Sequence, residues 1–181
     1  MYYNFAKNFW ITPDQSISFQ EEYVSKYAIG PFIELRFVPY FSFSLEGILS
    51  RKGGIISYPS KKGIEYQLTY ISFPIMANIY IVPLGPVQLF ISGGIEYSLL
   101  MQGKTYDHDL EEELEDIKSK LAGNDTAYLV GGGLRFNLVV TEIILEGRYS
   151  ESQKDIFLPE YLKEGELFRN RVFSFGIGFT F

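Results

Sequence analysis

The amino-acid sequence predicts an all-β fold, an eight-stranded antiparallel up-and-down barrel that occupies residues 1–181 as a single domain. Three observations lead to this prediction. Eight segments alternate large apolar residues with small or polar ones, which is the two-residue period of a strand. The connections between these segments alternate between short and long. Aromatic residues make up 17% of the chain, which favours β-structure or a membrane interface.

The composition excludes several classes of protein. The chain carries a formal net charge of -6, which argues against a nucleic-acid partner because such proteins present a basic surface. It has no cysteines, so disulfides and thiolate metal sites are excluded. The mean hydropathy of +0.02 is too low for a bundle of membrane helices. The most apolar stretch is interrupted by Pro74, Pro83 and Pro86, so it holds no membrane helix.

Each predicted strand is long enough for a tilted membrane crossing. The segments are 2–11, 27–38, 40–51, 65–81, 86–101, 126–137, 142–151 and 169–181. The second, fourth and sixth connections are short (VPY, VPLGP and NLVVT), and the other four are long. This asymmetry is typical of bacterial outer-membrane barrels. With an even number of strands, it predicts that both termini lie on the periplasmic side.

The two faces of the predicted strands differ in charge. One face is apolar, whereas the other holds acidic and basic residues together: Glu34, Arg36, Glu46, Glu96, Arg135, Glu146 and Arg148. A soluble lipocalin-like barrel would bury the apolar face, and so many large side chains would overfill an eight-stranded lumen. We therefore expect a transmembrane barrel whose apolar face contacts lipid. The charged residues must then pair inside, since an unpaired buried charge costs several kcal/mol.

Pro74 is a local difficulty for a closed barrel. It lies inside the fourth predicted strand and lacks the N–H that a neighbouring strand would accept. We therefore expect a bulge or a locally broken ladder at this position.

The long loop between strands five and six is predicted to contain the one short helix of the chain, from Leu110 to Ala122. Acidic residues at its start and lysines near its end suit the helix dipole. Its apolar stripe consists of Leu110, Leu114, Ile117 and Leu121. This stripe either folds back over the barrel mouth, covered by the apolar segment IFLPEYL, or docks a partner protein.

No catalytic constellation is recognisable in the sequence. The only histidine, His108, lies in the acidic segment YDHDLEEE, and no G-x-S-x-G motif occurs. A solvated acidic loop explains Asp107, His108 and Asp109 better than a divalent cation site does. We therefore predict no catalytic residue, no metal site and no cofactor, and a protein that is not an enzyme.

Five segments carry a family resemblance: YISFPIMANIYI (70–81), LFISGGIEYSLLMQGK (89–104), YLVGGGLRF (128–136), LEGRYSES (145–152) and NRVFSFGIGFTF (170–181). Together they resemble the PorT-like outer-membrane β-barrel family of Bacteroidota-type bacteria, over residues 27–181. The first segment, YYNFAKNFWI, departs from the Gly-rich opening strand that this family often shows.

The resemblance implies a role for the last strand. Outer-membrane barrels commonly end on an aromatic residue that the barrel-insertion machinery recognises. By this analogy the insertion signal consists of Phe175, Ile177, Phe179 and Phe181. The expected location is the bacterial outer membrane, although the residues that follow Met1, YYNFAKNFW, show no signal-peptide pattern. The expected partners are outer-membrane lipid, the insertion machinery and other envelope proteins.

Four hypotheses of function remain open at this point. The first is a non-enzymatic barrel whose interior is plugged by polar and charged side chains. It would act through its extracellular loops or as an accessory in envelope protein assembly or secretion; the resemblance implies secretion, because the named family member serves the type IX secretion system. The others are a narrow channel for small solutes, an outer-membrane lipid-modifying enzyme and a soluble lipocalin-like carrier.

Overall fold

The computed structural model describes residues 2–11, 20–22, 24–58, 61–84, 86–107, 112–162 and 167–180. Twelve strands run through these residues: β1 (Tyr2–Ile11), β2 (Gln20–Glu22), β3 (Val24–Ile29), β4 (Phe32–Val38), β5 (Phe41–Glu46), β6 (Ile48–Tyr58), β7 (Lys61–Leu84), β8 (Val87–Asp107), β9 (Glu112–Asp116), β10 (Asn124–Asn137), β11 (Glu142–Ser152) and β12 (Leu167–Thr180). Two 3₁₀ turns, Lys118–Lys120 and Pro159–Tyr161, lie between strands. The described residues include no helix long and apolar enough to cross a membrane.

The strand pairings run in a ring. β1 pairs with β3, β3 with β6, β6 with β7 and β7 with β8. β8 pairs with β10, β10 with β11, β11 with β12, and β12 with β1. Every ladder is antiparallel, so the predicted all-β antiparallel class is confirmed. We call the end with the connections at 39–40, 85–86 and 138–141 the short-turn end, and the opposite end the long-loop end.

The structure has twelve strands where the sequence predicts eight. The predicted second strand is split into β3 and β4 at 30–31, and the third into β5 and β6 at Gly47. Two short strands, β2 and β9, pair with the parts of β6 and β8 at the long-loop end. The ring still has eight positions, because β4 continues β3 along the chain and β6 continues β5.

The break between β5 and β6 lies opposite Pro74 in β7. The β5–β7 ladder ends at Ile75, and the β6–β7 ladder resumes at Ser72. The carbonyl of Ile75 points toward β8, since a Cβ added to Gly94 would lie 2.0 Å from its oxygen. Adjacent residues direct their backbone groups to opposite sides, so Pro74 turns its nitrogen, which has no hydrogen, toward β5 and β6. The broken ladder is therefore found, while the pairing of Pro74 with Glu96 keeps its register.

The break between β3 and β4 lies beside this one. The N–H of Gly47 donates to the carbonyl of Pro31 at 3.0 Å. A Cβ on Gly30 would lie 1.9 Å from the carbonyl oxygen of Gly47, so only glycine fits this close approach of two backbones. Two adjacent strand positions are thus interrupted side by side, at 30–31 and at Gly47, next to Pro74 in the continuous strand β7.

At the long-loop end the strands run further than the sequence predicts. β6 and β7 form a paired hairpin through most of 51–65, a segment predicted to be a long loop. This hairpin requires glycine at Gly53, whose φ is +135° and where a Cβ would lie 1.8 Å from the carbonyl oxygen of Tyr66. The prediction of a loop is wrong here because paired backbone satisfies hydrogen bonds that a loop would leave to water.

The predicted helix from Leu110 to Ala122 is also wrong. Glu112–Asp116 form β9, which pairs with the extended end of β8, and only the 3₁₀ turn Lys118–Lys120 follows. The helix-like spacing of apolar residues is a weak preference, and pairing with the free edge of a neighbouring strand overrides it.

The two faces of the wall alternate as expected for a barrel in lipid. The outer face holds exposed apolar residues at successive odd positions of β7 and β8: Phe73, Ile75, Ile79, Leu89, Ile91, Ile95 and Tyr97. The inner face of the same strands is buried and holds polar residues, Ser72, Asn78, Ser92, Glu96 and Ser98, beside Pro74, Met76, Tyr80 and Phe90. A water-soluble sheet reverses this arrangement, so the apolar outer face is consistent with a hydrocarbon surround.

Candidate functional site: the barrel lumen

A cluster of five bonded residues lies in the lumen near the short-turn end. We call it the short-turn cluster: Glu34, Arg36, Tyr80, Arg135 and Glu142. The guanidinium of Arg135 donates to both Glu34 and Glu142 and to the Tyr80 hydroxyl, the last at 2.8 Å. The Tyr80 hydroxyl in turn donates to Glu34. Arg36 lies 3.8 and 3.9 Å from the same two carboxylates, so two cations and two anions balance.

A second set of charges, the central cluster, lies deeper in the lumen and consists of Glu46, Glu146 and Arg148. Arg148 donates to both oxygens of Glu46, at 2.7 and 3.0 Å, and to both oxygens of Glu146, at 2.9 and 3.2 Å. The Ser92 hydroxyl adds a bond of 3.2 Å to Glu146. All three charged side chains are nearly inaccessible to solvent, so paired charge occupies the cross-section of the barrel.

Glu96 has a partner that sequence reasoning missed. It is paired with Lys52, whose side chain is 3% exposed, and it also accepts from Ser98 at 2.8 Å. The predicted third strand ended at residue 51 and so excluded Lys52. Continued alternation through Ser44, Glu46, Ser50 and Lys52 was the signal that could have found it, because these residues share the inward face of β5 and β6.

The structure brings all seven predicted interior charges into ion pairs inside the barrel. Their ion pairs fall into three groups. Arg36, Glu34 and Arg135 belong to the short-turn cluster, Glu46, Glu146 and Arg148 to the central cluster, and Glu96 pairs with Lys52.

Apolar side chains fill the lumen at the long-loop end. We call this set the loop-end cluster: Leu68, Tyr70, Leu100, Ile117, Leu121, Ile156 and Phe168. Partly buried residues, among them Tyr66, Phe157 and Leu162, pack against it. A backbone bridge joins Leu121 to Phe157, so the third and fourth long connections close over the lumen together.

The four residues of the predicted apolar stripe do not lie together on one helix. Ile117 and Leu121, each 4% exposed, are buried in the loop-end cluster. Leu114 belongs to β9, and Leu110 lies outside the described residues, as does His108. The stripe is therefore divided between a strand and the turn that follows it, and its buried half packs against residues of the segment IFLPEYL.

Three of the four residues of the predicted insertion signal lie on the outer face of β12. Phe175, Ile177 and Phe179 are 61%, 40% and 53% exposed, and their side chains alternate with small residues on the inner face. Phe181 lies outside the described residues.

A cavity of about 540 Å³ occupies the short-turn half of the lumen. Its lining combines charged residues of both clusters with an apolar group: Phe32, Phe90, Ile144, Ile177 and Phe179. A wider recess of about 630 Å³ shares Phe32, Glu34, Arg135 and Phe179 with it and opens at the short-turn end. Beside Lys52 and Glu96 the remaining space is only about 30 Å³, which suits roughly one water molecule.

This arrangement can hold a small molecule but offers little for covalent chemistry. The carboxylates of these clusters and of Glu96 are already paired with arginine or lysine, and the hydroxyls of Tyr80, Ser92 and Ser98 donate to them. A nucleophile with an adjacent base is not found among the described residues of the lumen.

Solved structures that are similar to this chain include three outer-membrane proteins. The outer membrane protein OprG from Pseudomonas aeruginosa matches with a TM-score of 0.53 and 10% identity, covering 98% of this chain and 92% of OprG. Ail, the attachment invasion locus protein of Yersinia pestis, matches with a TM-score of 0.41 and 11% identity, covering 99% and 95% of the two chains. The outer membrane enzyme PagL matches with a TM-score of 0.39 and 10% identity, covering 97% of both chains.

The similarity to OprG supports the fold and not a function, and the similarities to Ail and PagL are too low to support either. No curated protein sequence matches the chain. Residues 2–158 match the family described as outer membrane protein beta-barrel domain. Because this match spans most of the chain, and the apolar outer wall and paired interior charges fit it, the protein belongs to the outer membrane protein beta-barrel domain family.

Proposed function

We propose that this protein is a non-enzymatic outer-membrane barrel whose lumen is closed to the passage of solutes. One observation carries the proposal: two different barriers lie in series inside the barrel. The central cluster crosses the lumen with bonded charges, and the loop-end cluster fills it with apolar side chains.

The two barriers exclude solutes for different reasons. A hydrated ion passing the central cluster would have to break bidentate bonds of Arg148, which are charge-assisted and therefore strong. The same ion would then have to lose its water against the loop-end cluster, where burial of apolar surface excludes it. The space between them, about 30 Å³, is too small for a solvated ion.

Conductance in planar lipid bilayers tests this proposal. The purified protein, shown to be folded by a gel mobility that changes on boiling, should give no resolved conductance steps. A variant with Glu46, Glu146 and Arg148 all changed to Ser removes the central charges and serves as the comparison. Steps in the wild type that change with this triple variant would overturn the proposal in favour of a narrow channel.

The narrow channel is the second candidate, favoured by the 540 Å³ cavity and the recess at the short-turn end. Together they bring solvent-sized space as far as the central cluster. The bilayer experiment separates the two candidates, because only a channel conducts with the loop-end cluster intact.

The absence of catalysis is part of the proposal. The only histidine of the sequence is His108, in an acidic segment, so a lipid-modifying reaction has no evident base. Release of fatty acid from labelled outer-membrane lipid by the purified protein, lost in His108→Ala, would overturn this part.

We also propose that the protein works through its long connections, as an accessory in envelope protein assembly or secretion like the PorT-like family that it resembles. In this proposal both termini are periplasmic, the barrel-insertion machinery reads Phe175, Ile177, Phe179 and Phe181, and other envelope proteins are the partners. Protease access to a tag placed after residue 154 in intact cells tests the orientation. Cleavage is expected there and not at an N-terminal tag; the reverse result would contradict the orientation.

A further inference from the structure

The apolar outer face of the wall gives way to polar residues in a single step near the long-loop end. The last apolar row consists of cross-strand partners on β6, β7 and β8: Leu49, Ile71 and Leu99. One step further along the same strands, the partners are polar: Arg51, Thr69 and Gln102. Because cross-strand partners share a face, this change marks the edge of the hydrocarbon on this side of the barrel.

A recess lies on the outer face at this edge. Leu68 points into the loop-end cluster, so its neighbours Gln67 and Thr69 point outward. Gln67 is opposite Lys104 on β8 and opposite Gly53 on β6. Since Gly53 has no side chain, β6 leaves this second polar row partly empty. A recess of about 190 Å³ is found here.

The recess is basic. The described residues that line it include four cationic side chains and no carboxylate: Lys26, Arg51, Lys52 and Lys104, with Gln67, Leu68, Thr69 and Gln102. Three of the cations have a carboxylate beside them, outside the lining, in the pairs Lys26–Glu65, Lys52–Glu96 and, as cross-strand partners, Lys104–Asp116. The guanidinium of Arg51 also lies over the ring of Tyr27, at 5.0 Å. The lining therefore presents cations and neutral donors to the outside.

The donors of the recess come from three neighbouring strands and differ in kind. β6 supplies a guanidinium, β7 an amide and a hydroxyl, and β8 an amide and an ammonium group. A phosphate monoester carries more than one negative charge near neutral pH, and its oxygens accept hydrogen bonds from several directions. A carboxylate has only two acceptor oxygens, so it would satisfy fewer of these donors.

The edge of the apolar face on the opposite wall is built differently. Arg171 on β12 donates to Glu151 on β11 at 2.8 and 3.0 Å. Cation and carboxylate are cross-strand partners there, so the wall supplies its own counter-ion. An anion at that edge would meet a bonded pair of opposite charges, which makes the opposite wall a matched comparison for the recess.

We propose that the recess beside Arg51 and Lys104 binds the phosphate group of an anionic lipid in the leaflet on the long-loop side. A lipid fits better than a soluble anion because the recess directly adjoins the apolar face. The acyl chains of one molecule then cover Leu49, Ile71 and Leu99 while its phosphate contacts the polar rows. The site lies on the outer wall, so it does not depend on whether the lumen conducts.

Tryptophan quenching by brominated lipids tests this proposal. Trp10 is the only tryptophan, so Trp10→Phe gives a silent background. Into it we would place Met101→Trp, at an exposed position beside Gln102, or Tyr128→Trp, at an exposed position opposite Glu151. Each variant is reconstituted in unbrominated phosphatidylcholine, and its folding is checked by the gel mobility that changes on boiling. Dibrominated phosphatidic acid or dibrominated phosphatidylcholine is then added.

Quenching of Met101→Trp by phosphatidic acid should be half complete at a roughly tenfold lower mole fraction than quenching by phosphatidylcholine, equivalent to about 1.4 kcal/mol. The two lipids should quench Tyr128→Trp equally. Equal quenching by the two lipids at position 101, or the same preference at both positions, would overturn the proposal.

Two further probes identify the group that is bound. A brominated fatty acid, which carries a carboxylate, should quench Met101→Trp less effectively than phosphatidic acid does; equal quenching would show that negative charge suffices and would overturn the phosphate. Millimolar inorganic phosphate should leave the preference for phosphatidic acid unchanged. Loss of the preference would show that a soluble anion occupies the recess and would overturn the lipid.

Substitutions in the wall assign the preference to the recess. Arg51→Gln combined with Lys104→Gln removes two of the four cations and should abolish the preference at position 101. Arg171→Gln, which removes a cation from the opposite wall, should leave it unchanged. If the double variant does not fold, Gln67→Leu with Gln102→Leu removes two neutral donors and should weaken the preference. A preference that persists in the folded variant would overturn the recess as the site.

Discussion

The long-loop half of the lumen is built around an apolar cluster, whereas the short-turn half holds ion pairs around a cavity. The two halves also draw their residues from different sources. The loop-end cluster combines strand residues with Ile117, Leu121 and Ile156 from the connections, while the charges of the short-turn and central clusters lie on strands. Fixed strand register suits directional bonds, and apolar contact tolerates the looser geometry of a connection.

The difference between the two halves explains how a narrow barrel can be stable with charges inside. Each carboxylate of the short-turn and central clusters is held by a cation from another strand or from two residues away on its own strand, so desolvation is offset by several bonds at once. The loop-end cluster requires no such match. Removing one residue from each half should therefore have unequal costs and different causes.

The largest effect is expected at the centre of the charged half. Arg148→Met leaves Glu46 and Glu146 buried without their cation, which should lower the free energy of unfolding by about 4 kcal/mol. Urea titration in lipid vesicles, followed by Trp10 fluorescence, measures it. If Glu46→Gln and Glu146→Gln added to this variant restore none of the loss, the cost does not come from unpaired charge.

The apolar half should be somewhat less sensitive to a single change. Leu121→Ala removes buried carbon from the loop-end cluster and leaves a cavity, so we expect a loss of about 3 kcal/mol in the same titration. Val139→Ala, in the exposed β10–β11 connection, is the matched truncation and should change little. Equal effects of the two truncations would show that the loop-end cluster does not close the lumen.

A smaller effect is expected at the polar side of the cavity. Tyr80→Phe removes a hydroxyl that donates to Glu34 and accepts from Arg135 at 2.8 Å, for a loss of about 2 kcal/mol. Tyr128→Phe removes a hydroxyl from the outer face, where the ring is 61% exposed, and should be nearly neutral. If Tyr80→Phe leaves the free energy of unfolding unchanged, the Tyr80 hydroxyl does not stabilise the short-turn cluster.

The smallest effect belongs to an ion pair outside the lumen. Arg171 donates to Glu151 at 2.8 and 3.0 Å, but both side chains are about one third exposed. Arg171→Met should therefore cost about 0.5 kcal/mol, in the range of surface pairs. A cost as large as that of Arg148→Met would mean that burial does not govern the energetics of these pairs.

The alternation of side chains was enough to predict the eight positions of the ring and the face on which each side chain lies. Phe175 and Leu89 are exposed on the outer wall, and Glu96 and Arg148 are buried inside, because the two-residue period fixes sidedness once one face is assigned. The alternation did not identify Lys52 as an inward residue. It is followed by Gly53 and Gly54, which have no side chains to continue the pattern.

The connections could not be predicted in the same way. The spacing of Leu114, Ile117 and Leu121 fits a helix, yet the extended edge of β8 captures Glu112–Asp116 as a strand. Whether this segment forms a helix or a strand depends on how far β8 extends at the long-loop end, and that is a property of the assembled sheet. The cavity could not be predicted from the sequence either, since it depends on how the strands and their inward side chains assemble.

The line of interruptions at Pro31, Gly47 and Pro74 has a mechanical consequence. The ladders between these three neighbouring strand positions are incomplete at one height, and a region with fewer ladder bonds opens locally at a lower free energy. Backbone amides in this band should exchange with deuterium earlier than those of the continuous β10 and β11 on the far wall. Ile29 and Gly30, at the same height, line the cavity of the short-turn half, so the part of the wall that should open most readily is the part that borders this cavity.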